Sequence, residues 1–231
     1  MITAIFLDFD GIIIESVNIK TEAFRELFSR YPDKLDVIIQ HHLANNASSR
    51  YVKFQYIYEN ILHEPYNEVI EHKLDEELSR IVFEGVVTCP YVKGAPEFLT
   101  YFFGRLPMFL ISATPKKELE HIVEARRIEK YFTEIFGAPG DKVKQIETIL
   151  KKYGFKPENV VYIGDMVEDY RVAQNSGIPF IGREHMESFA RLDVTSFPDM
   201  DGIRKWIIRT NASGNSGPTS QRTSTKQIKP L

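Results

Sequence analysis

Cysteine is almost absent: Cys89 is the only one in 231 residues. A single thiol excludes an internal disulfide framework and any multi-cysteine metal site, and reads as a small core residue. An excess of charge of either sign is also lacking. Lys and Arg number 29 against 32 Asp and Glu, a formal net charge of −3. No global field therefore favours nucleic acid or an anionic membrane, and any anion must be held locally. No apolar run approaches the roughly 20 residues of a membrane span, and the opening Met-Ile-Thr-Ala-Ile has no basic leader character. The expectation is a cytoplasmic protein with neither nucleic acid nor membrane as partner. Internal repeats are lacking too.

What is present suffices for a real core: 43% of residues are hydrophobic and 26% charged, as in one large domain or a core domain with a smaller insertion. Residues 2–8 (ITAIFLD) form a short apolar run ending in Asp and Gly, as a buried parallel strand would. PMFLIS (107–112), VVYIG (160–164) and PFIG (179–182) share that grammar. Amphipathic stretches at 95–104, 115–130, 140–153 and 168–176 alternate with them. Strands alternating with such helices predict parallel βαβ units in a doubly wound α/β sheet.

Between the first two strands, from about Val17 to Val86, helical patterns such as TEAFRELFSRY, SRYVKFQYIYENIL and YNEVIEHKLDEELSRIVFEGV follow one another. Roughly 70 residues of helix exceed a normal crossover and predict a separate helical insertion. Pro90, Gly94 and Pro96 mark the return. The aromatic stripe of YVKFQYIYENIL is expected to form the insertion's own core. Residues 211–231, rich in Ser, Thr and Gly, are expected to be a disordered tail.

The strand ends carry the chemistry. Asp8-Phe9-Asp10-Gly11, Ser112, Lys142, and Gly164-Asp165 with Asp169 each lie just beyond a predicted strand or at the start of a helix, where open α/β sheets place ligands. Burying an ionised carboxylate alone costs several kcal/mol, so two of them ending an apolar run require compensation. Gly11 lets the chain turn so that both face one pocket. A hard cation such as Mg²⁺ takes one or two carboxylates plus water and phosphate oxygens, and Asp8, Asp165 and Asp169 can supply them. A carboxylate can attack phosphorus, and a second can move protons. Ser112 with its neighbouring N–H groups, and Lys142, can stabilise phosphoryl charge.

These segments, in this order, resemble the haloacid dehalogenase superfamily, specifically its phosphatase branch with a helical cap inserted after the first motif. "DFDGIIIES" resembles motif one, "LISATP" motif two, Lys142 in "GDKVKQ" motif three and "YIGDMVEDYRVAQNSGIPFIG" motif four, over about residues 3–208. The resemblance implies a Rossmann-like three-layer α/β/α core with a parallel sheet, formed by residues 1–15 and 88–210, and a cap formed by 16–87. It implies Asp8 as nucleophile and Asp10 as general acid/base. Mg²⁺ would bind Asp8, the Asp10 carbonyl and Asp165, with Asp169 a further ligand or a supporting group. Gly11, Ser112 and Ala113 would hold phosphate. An aspartate at position 10 argues for phosphate over halide. Lys142, at the helix start, fits motif three better than Lys144, a solvated lysine. Thr114, before Pro115, reads as a helix cap.

In the cap, NNASSRYVKF opens a helix with Ser48 or Ser49 as N-cap and Arg50 and Lys53 on one face. The Ser49-Arg50 pair resembles the cap loop of β-phosphoglucomutase relatives, where that arginine engages a distal phosphate. Arg50, Lys53 and Lys20 are thus substrate candidates, with a solvated face as the alternative. Gly164-Asp165 with Asp169 is the phosphatase form, where mutases carry Glu-Asp. A Schiff-base lysine, as in phosphonoacetaldehyde hydrolases, would have to be Lys20 or Lys53. The resemblance implies a Mg²⁺-dependent hydrolase of a small phosphorylated metabolite, phosphoglycolate phosphatase-like, as a monomer or homodimer. A β-phosphoglucomutase-like phosphomutase or a phosphonoacetaldehyde hydrolase-like enzyme is the alternative, and the intact set of Asp8, Asp10, Ser112, Lys142 and Asp165 argues against a non-catalytic binding protein.

Overall fold

A computed structural model of the chain describes residues 1–46, 48–185 and 189–213. Segments of three to eight residues form the parallel strands β1 (Ala4–Leu7), β2 (Met108–Pro115), β3 (Glu134–Ala138), β4 (Val160–Gly164), β5 (Phe180–Arg183) and β6 (Thr195–Phe197). Among the described residues they make one sheet in the order β3-β2-β1-β4-β5-β6, every pair parallel. β1 is central, registered Leu7 to Leu110 on one side and Leu7 to Ile163 on the other.

Alternation along the strands divides the core between two faces. Ile5, Leu7, Leu110, Val161 and Ile163 face α5 (Ala95–Phe102), α6 (Lys116–Ala125) and α9 (Met200–Ala212). Ala4, Phe6, Phe109, Ile111 and Tyr162 face α7 (Lys142–Tyr153) and α8 (Val167–Asn175). Phe6 and Phe109 meet edge-to-face with centroids 5.3 Å apart; full burial of one such ring contributes about 2–3 kcal/mol. The result is the expected three-layer α/β/α sandwich.

The sequence between β1 and β2 is helical: α1 (Val17–Leu27), α2 (Leu35–Ala44), α3 (Arg50–Tyr56) and α4 (Glu68–Thr88). α3 continues into a π-helical turn, Ile57–Leu62, closed by His63 in the left-handed region. Phe54, Ile57 and Tyr58 of the aromatic stripe are buried with Phe24, Phe28, Leu74 and Leu78, whereas Tyr56 is exposed. The stripe is therefore mostly packing.

Three expectations need revision. β3 and β6 are strands although neither is a continuous apolar run; both lie at sheet edges and are half-buried. The helix expected over 115–130 stops at Ala125, because β2 runs on through Thr114 to Pro115 at one end and Arg127 turns left-handed at the other. Asn211 and Ala212 close α9 rather than begin a tail, since Asn211 is bonded through Nδ2 to the Ile2 carbonyl and through Oδ1 to its N–H. The remainder of the expected tail, 214–231, lies outside the described residues. No helix among the described residues is long and apolar enough to cross a membrane.

Candidate active site

The carboxyl ends of β1, β2 and β4 converge with the start of α7 on one cavity of about 70 Å³, whose lining includes Asp8, Asp10, Thr114, Lys142 and Asp165. Gly11 makes the arrangement possible. Its φ of +71° turns the chain directly after Asp10, and the Asp165 carboxylate fills the space a β-carbon there would need. The backbone thus approaches β4 closely enough for carboxylates from two strands to share one pocket.

The two motif-one aspartates occupy different surroundings. Asp10 accepts hydrogen bonds from Ser16 Oγ and Lys20 Nζ, and from Thr114 Oγ1 at 3.2 Å. Burial works to raise its pKa, but the Lys20 charge and these donors outweigh it and hold the carboxyl below its usual range. Asp8 is pushed up to about 7, first by burial and then by the neighbouring Asp169 and Asp10 charges, against the opposing pull of Lys142. Asp165 is raised well above its ordinary value by burial and by Asp169 and Asp8.

Lys142 bridges the cluster. Its Nζ donates to Asp169 Oδ1 at 2.9 Å, Asp8 Oδ1 at 3.2 Å and Tyr162 Oη at 3.2 Å. Burial disfavours its charge, yet Asp169 and Asp8 more than offset that and raise its pKa well above the usual value. The local cause of its placement is Asp141, which caps α7 by accepting from the Lys144 N–H at 3.0 Å and sets Lys142 in the first turn. Lys144 is exposed.

Asp8, Asp165 and Asp169 each offer an oxygen within 4.8 Å of the others. Asp169 has committed partners: Oδ1 accepts from Lys142 and from Tyr162 Oη at 3.1 Å, and Oδ2 accepts from the Met166 N–H at 3.3 Å. Asp165 Oδ2, by contrast, is buried without a hydrogen-bond partner among the described residues. Buried carboxylate oxygens are almost always paired. An all-oxygen donor set with one orphaned oxygen fits a hard divalent cation such as Mg²⁺.

The remaining candidates divide. Ser112 is buried and its Oγ accepts from the Thr114 N–H at 3.1 Å, while Ala113 lines the cavity. Thr114 is not a helix cap; it lies in β2 and its hydroxyl accepts from Lys20 Nζ at 2.8 Å. Lys20 and Lys53 both line the cavity from the helical insertion. Lys53 has His42 Nδ1 at 3.5 Å and stands 5.6 Å from the Phe24 ring centre. Arg50 also lines the cavity, but its guanidinium is bonded to Asp75, Ser79 and Glu118. Ser49 is the residue before α3, and its side chain makes no capping bond.

Sequence reasoning missed Arg183. Buried at the end of β5, it donates to the Gly11 carbonyl at 2.7 Å and forks onto Glu15 at 2.7 and 3.1 Å. It thereby pins the turn that follows Asp10. The signal was a charge terminating a buried strand, the same signal that singled out Asp8.

Comparison with known proteins agrees with this geometry. A family model described as haloacid dehalogenase-like hydrolase matches residues 5–183. Phosphoglycolate phosphatases of Shigella boydii serotype 4 and Escherichia coli K12 are 24% and 23% identical over 139 residues, covering 57% of this chain and 54% of theirs. The chain thus spans about half the length of the curated relatives it matches. Among solved structures, a predicted phosphoglycolate phosphatase from Haemophilus somnus 129pt has a TM-score of 0.73 at 16% identity, over 89% of this chain and 98% of that one. β-Phosphoglucomutase from Clostridium difficile has a TM-score of 0.75 at 17% identity, over 92% and 98%. These likenesses show the fold, and the family match spans most of the chain. With its strand-end carboxylates and Lys142 gathered in one cavity, the chain belongs to the haloacid dehalogenase-like hydrolase family.

Proposed function

We propose that the chain is a Mg²⁺-dependent phosphomonoester hydrolase acting on a small phosphorylated metabolite through an aspartyl-phosphate. Residues 1–15 and 88–210 would be its core and 16–87 its cap. The observation that carries the reading is the division between Asp8 and Asp10: two carboxylates two residues apart, one joined to Lys142 and the acidic cluster, the other to proton donors.

In this mechanism an Asp8 oxygen attacks phosphorus and the bond to the leaving oxygen breaks. Asp10 gives that oxygen a proton. It then takes a proton from water as the water attacks the phosphorus of the acyl phosphate, which releases phosphate and restores Asp8. The Lys20 contact favours ionised Asp10, the form needed in the second half. An arriving phosphoryl dianion has the opposite influence and favours the protonated form needed in the first. Lys142 opposes the charge that builds on the phosphoryl oxygens, and N–H groups around Ser112 and Ala113 orient them. Asp8, Asp165 and the Asp10 carbonyl would hold Mg²⁺, with Asp169 behind them, and the ion would supply the positive charge that keeps the clustered carboxylates ionised.

Gly164 favours hydrolysis over phosphomutase chemistry. A β-carbon at position 164 would collide with the Asp169 side chain, so the glutamate that mutases carry there is incompatible with Asp169 on this backbone.

The test is phosphate release from p-nitrophenyl phosphate with and without Mg²⁺, with Asp8→Asn as control. Mg²⁺-dependent release that disappears in Asp8→Asn is expected. Undiminished release by Asp8→Asn, or no release across a broad panel of phosphate esters, would sink the mechanism. Sugar phosphates, phosphoglycolate, nucleotides and phosphonoacetaldehyde in that panel then define the substrate.

A further inference from the structure

The contact between the helical insertion and α6 has two dissimilar ends. Beyond the last turn of α6, Arg126 donates to three main-chain carbonyls at the end of α4 and the chain leaving it: Val86 and Val87 at 2.8 Å each, and Cys89 at 2.9 Å. Its guanidinium also lies over the Tyr91 ring, 4.2 Å from the centre. Carbonyls at a helix C-terminus have no partner within their own helix, so separation here would orphan several groups at once. This end is built to stay.

Eight residues earlier, about 12 Å along the helix axis, is Glu118. Its Oε1 accepts from Arg50 Nη2 at 2.7 Å and its Oε2 from Ser79 Oγ at 2.7 Å. Arg50 Nη1 in turn donates to that same Ser79 Oγ at 2.7 Å. The three bonds close a ring whose members come from α3, α4 and α6. Arg50 and Glu118 side chains are each only 7% exposed.

Separation at this end would release only Arg50 Nη2 and the Ser79 hydroxyl from Glu118, both at the surface that would then meet water. Arg50 would keep Ser79 and Asp75, both on α4 and both within the insertion. Glu118 would pass into water in the first turn of α6, where a negative charge is favoured by the helix dipole. Between the two ends, Phe83 of α4 stacks on His121 of α6 at 4.5 Å, a ring contact rather than a directional hydrogen bond. The asymmetry is that of a pivot at Arg126 and a catch at Glu118.

We propose that Glu118 is a positioning residue for the reaction, a latch on the core that draws Arg50 and Ser79 down and thereby seats Lys20 and Lys53 over the strand-end carboxylates. Lys20 and Lys53 ride on α1 and α3, which pack against α4, so the catch sets the whole lysine-bearing wall. It also assigns Arg50 to closure rather than to holding a substrate anion. The inference rests on the phosphatase reading only for its kinetic half.

Two measurements test it. The first needs no activity: spin labels at Val52 and Lys144, both exposed, in a Cys89→Ser background, with the distance distribution read by double electron–electron resonance. The parent should give a narrow distribution, and Glu118→Ala a longer, broader one at unchanged secondary structure. The second is steady-state kinetics with p-nitrophenyl phosphate and Mg²⁺. Glu118→Ala should raise KM at least about fivefold while kcat stays within about threefold. Glu118→Gln should fall between the two, and Arg50→Ala should add little in the Glu118→Ala background. An unaltered distance distribution in Glu118→Ala overturns the proposal. So does a lower kcat at constant KM, or a lower KM for substrates with two anionic groups, which would return Arg50 to substrate binding. If the parent releases no phosphate, the phosphatase reading fails and the distance measurement alone decides the latch.

Discussion

The carboxylate of Asp165 occupies the space that a side chain at Gly11 would claim. One residue is at a turn after β1 and the other at the end of β4, so the missing side chain of the first creates the seat of the second. Gly11→Ala therefore meets two obstacles: a left-handed φ, costing about 1–2 kcal/mol, and a collision with a buried carboxylate. Thermal denaturation should show that loss, and Mg²⁺-dependent turnover should fall roughly 10²-fold or more because Asp165 is displaced. Wild-type turnover in Gly11→Ala would show that the close approach is dispensable.

Lys142→Met removes the cation that, alone among the described residues, contacts both Asp8 and Asp169. Buried carboxylates left without their partner destabilise by about 3–5 kcal/mol, and loss of charge at the phosphoryl group should lower kcat about 10²–10³-fold. Melting curves in chelator and rates in Mg²⁺ measure the two effects. Lys144→Met should change neither.

Asp165→Asn separates the metal from the fold. In chelator the variant should melt at the same temperature as wild type or higher, since it loses a buried carboxylate whose Oδ2 has no partner among the described residues. Wild type should gain from Mg²⁺ about 2.7 kcal/mol at a hundredfold excess over Kd, and the variant should gain much less. An equal Mg²⁺ shift in both proteins would remove Asp165 from the proposed metal site.

The lysine-bearing wall of the helical insertion should be acid-sensitive. His42 is driven down to about 2 by burial, then by Lys53, Lys20 and His41. Lys53 is driven down to about 7 by burial, then by Lys20 and Arg50, with Asp10 opposing. For both, the unfolded chain binds a proton that the folded one lacks, from about pH 2 to 6.5 for His42 and from about 7 to 10.5 for Lys53. Stability should therefore rise with pH across each window. Lys53→Met should stabilise near pH 7, with a ceiling of roughly 5 kcal/mol, and the gain should fade towards pH 10.5. Denaturant melts at pH 7 and 10.5 check it; a gain independent of pH would assign the effect to packing.

The legible parts of the sequence were those under one dominant constraint. β1, β4 and the Met108–Ile111 part of β2 are buried apolar runs, and carboxylates at the ends of two of these strands stood out against that background. The edge strands β3 and β6 carry Glu134 and Thr195 and are half-buried, which leaves no apolar run to read. Thr114 was misread because local rules place a threonine before Pro115 at a helix start, whereas pairing with β3 at Pro115 keeps the chain extended. Arg50 was read as a grip on a substrate anion or as part of a solvated face; its actual partners Asp75, Ser79 and Glu118 are 25, 29 and 68 residues away, beyond the reach of local pattern. Arg183 escaped for the same reason, its acceptors being 168 and 172 residues distant.

The two ends of the helical insertion are joined by a short ladder. Val92 donates to the Ile13 carbonyl at 3.0 Å, Glu15 to the Pro90 carbonyl at 3.0 Å, and Ile14 bridges Tyr91 in antiparallel fashion. To the rest of the chain, everything between them is the loop of a β-hairpin. That bears on assembly. β1 must find Met108, some hundred residues away, and loop closure grows costlier with length. Once the ladder forms, the effective separation shrinks to a few tens of residues, so helices that collapse early would speed closure of the central strand pair. The same ladder makes the helices exchangeable. A chain carrying a tight turn in place of residues 16–89 should still fold around β1, and would leave Asp8 and Asp165 open to solvent from above.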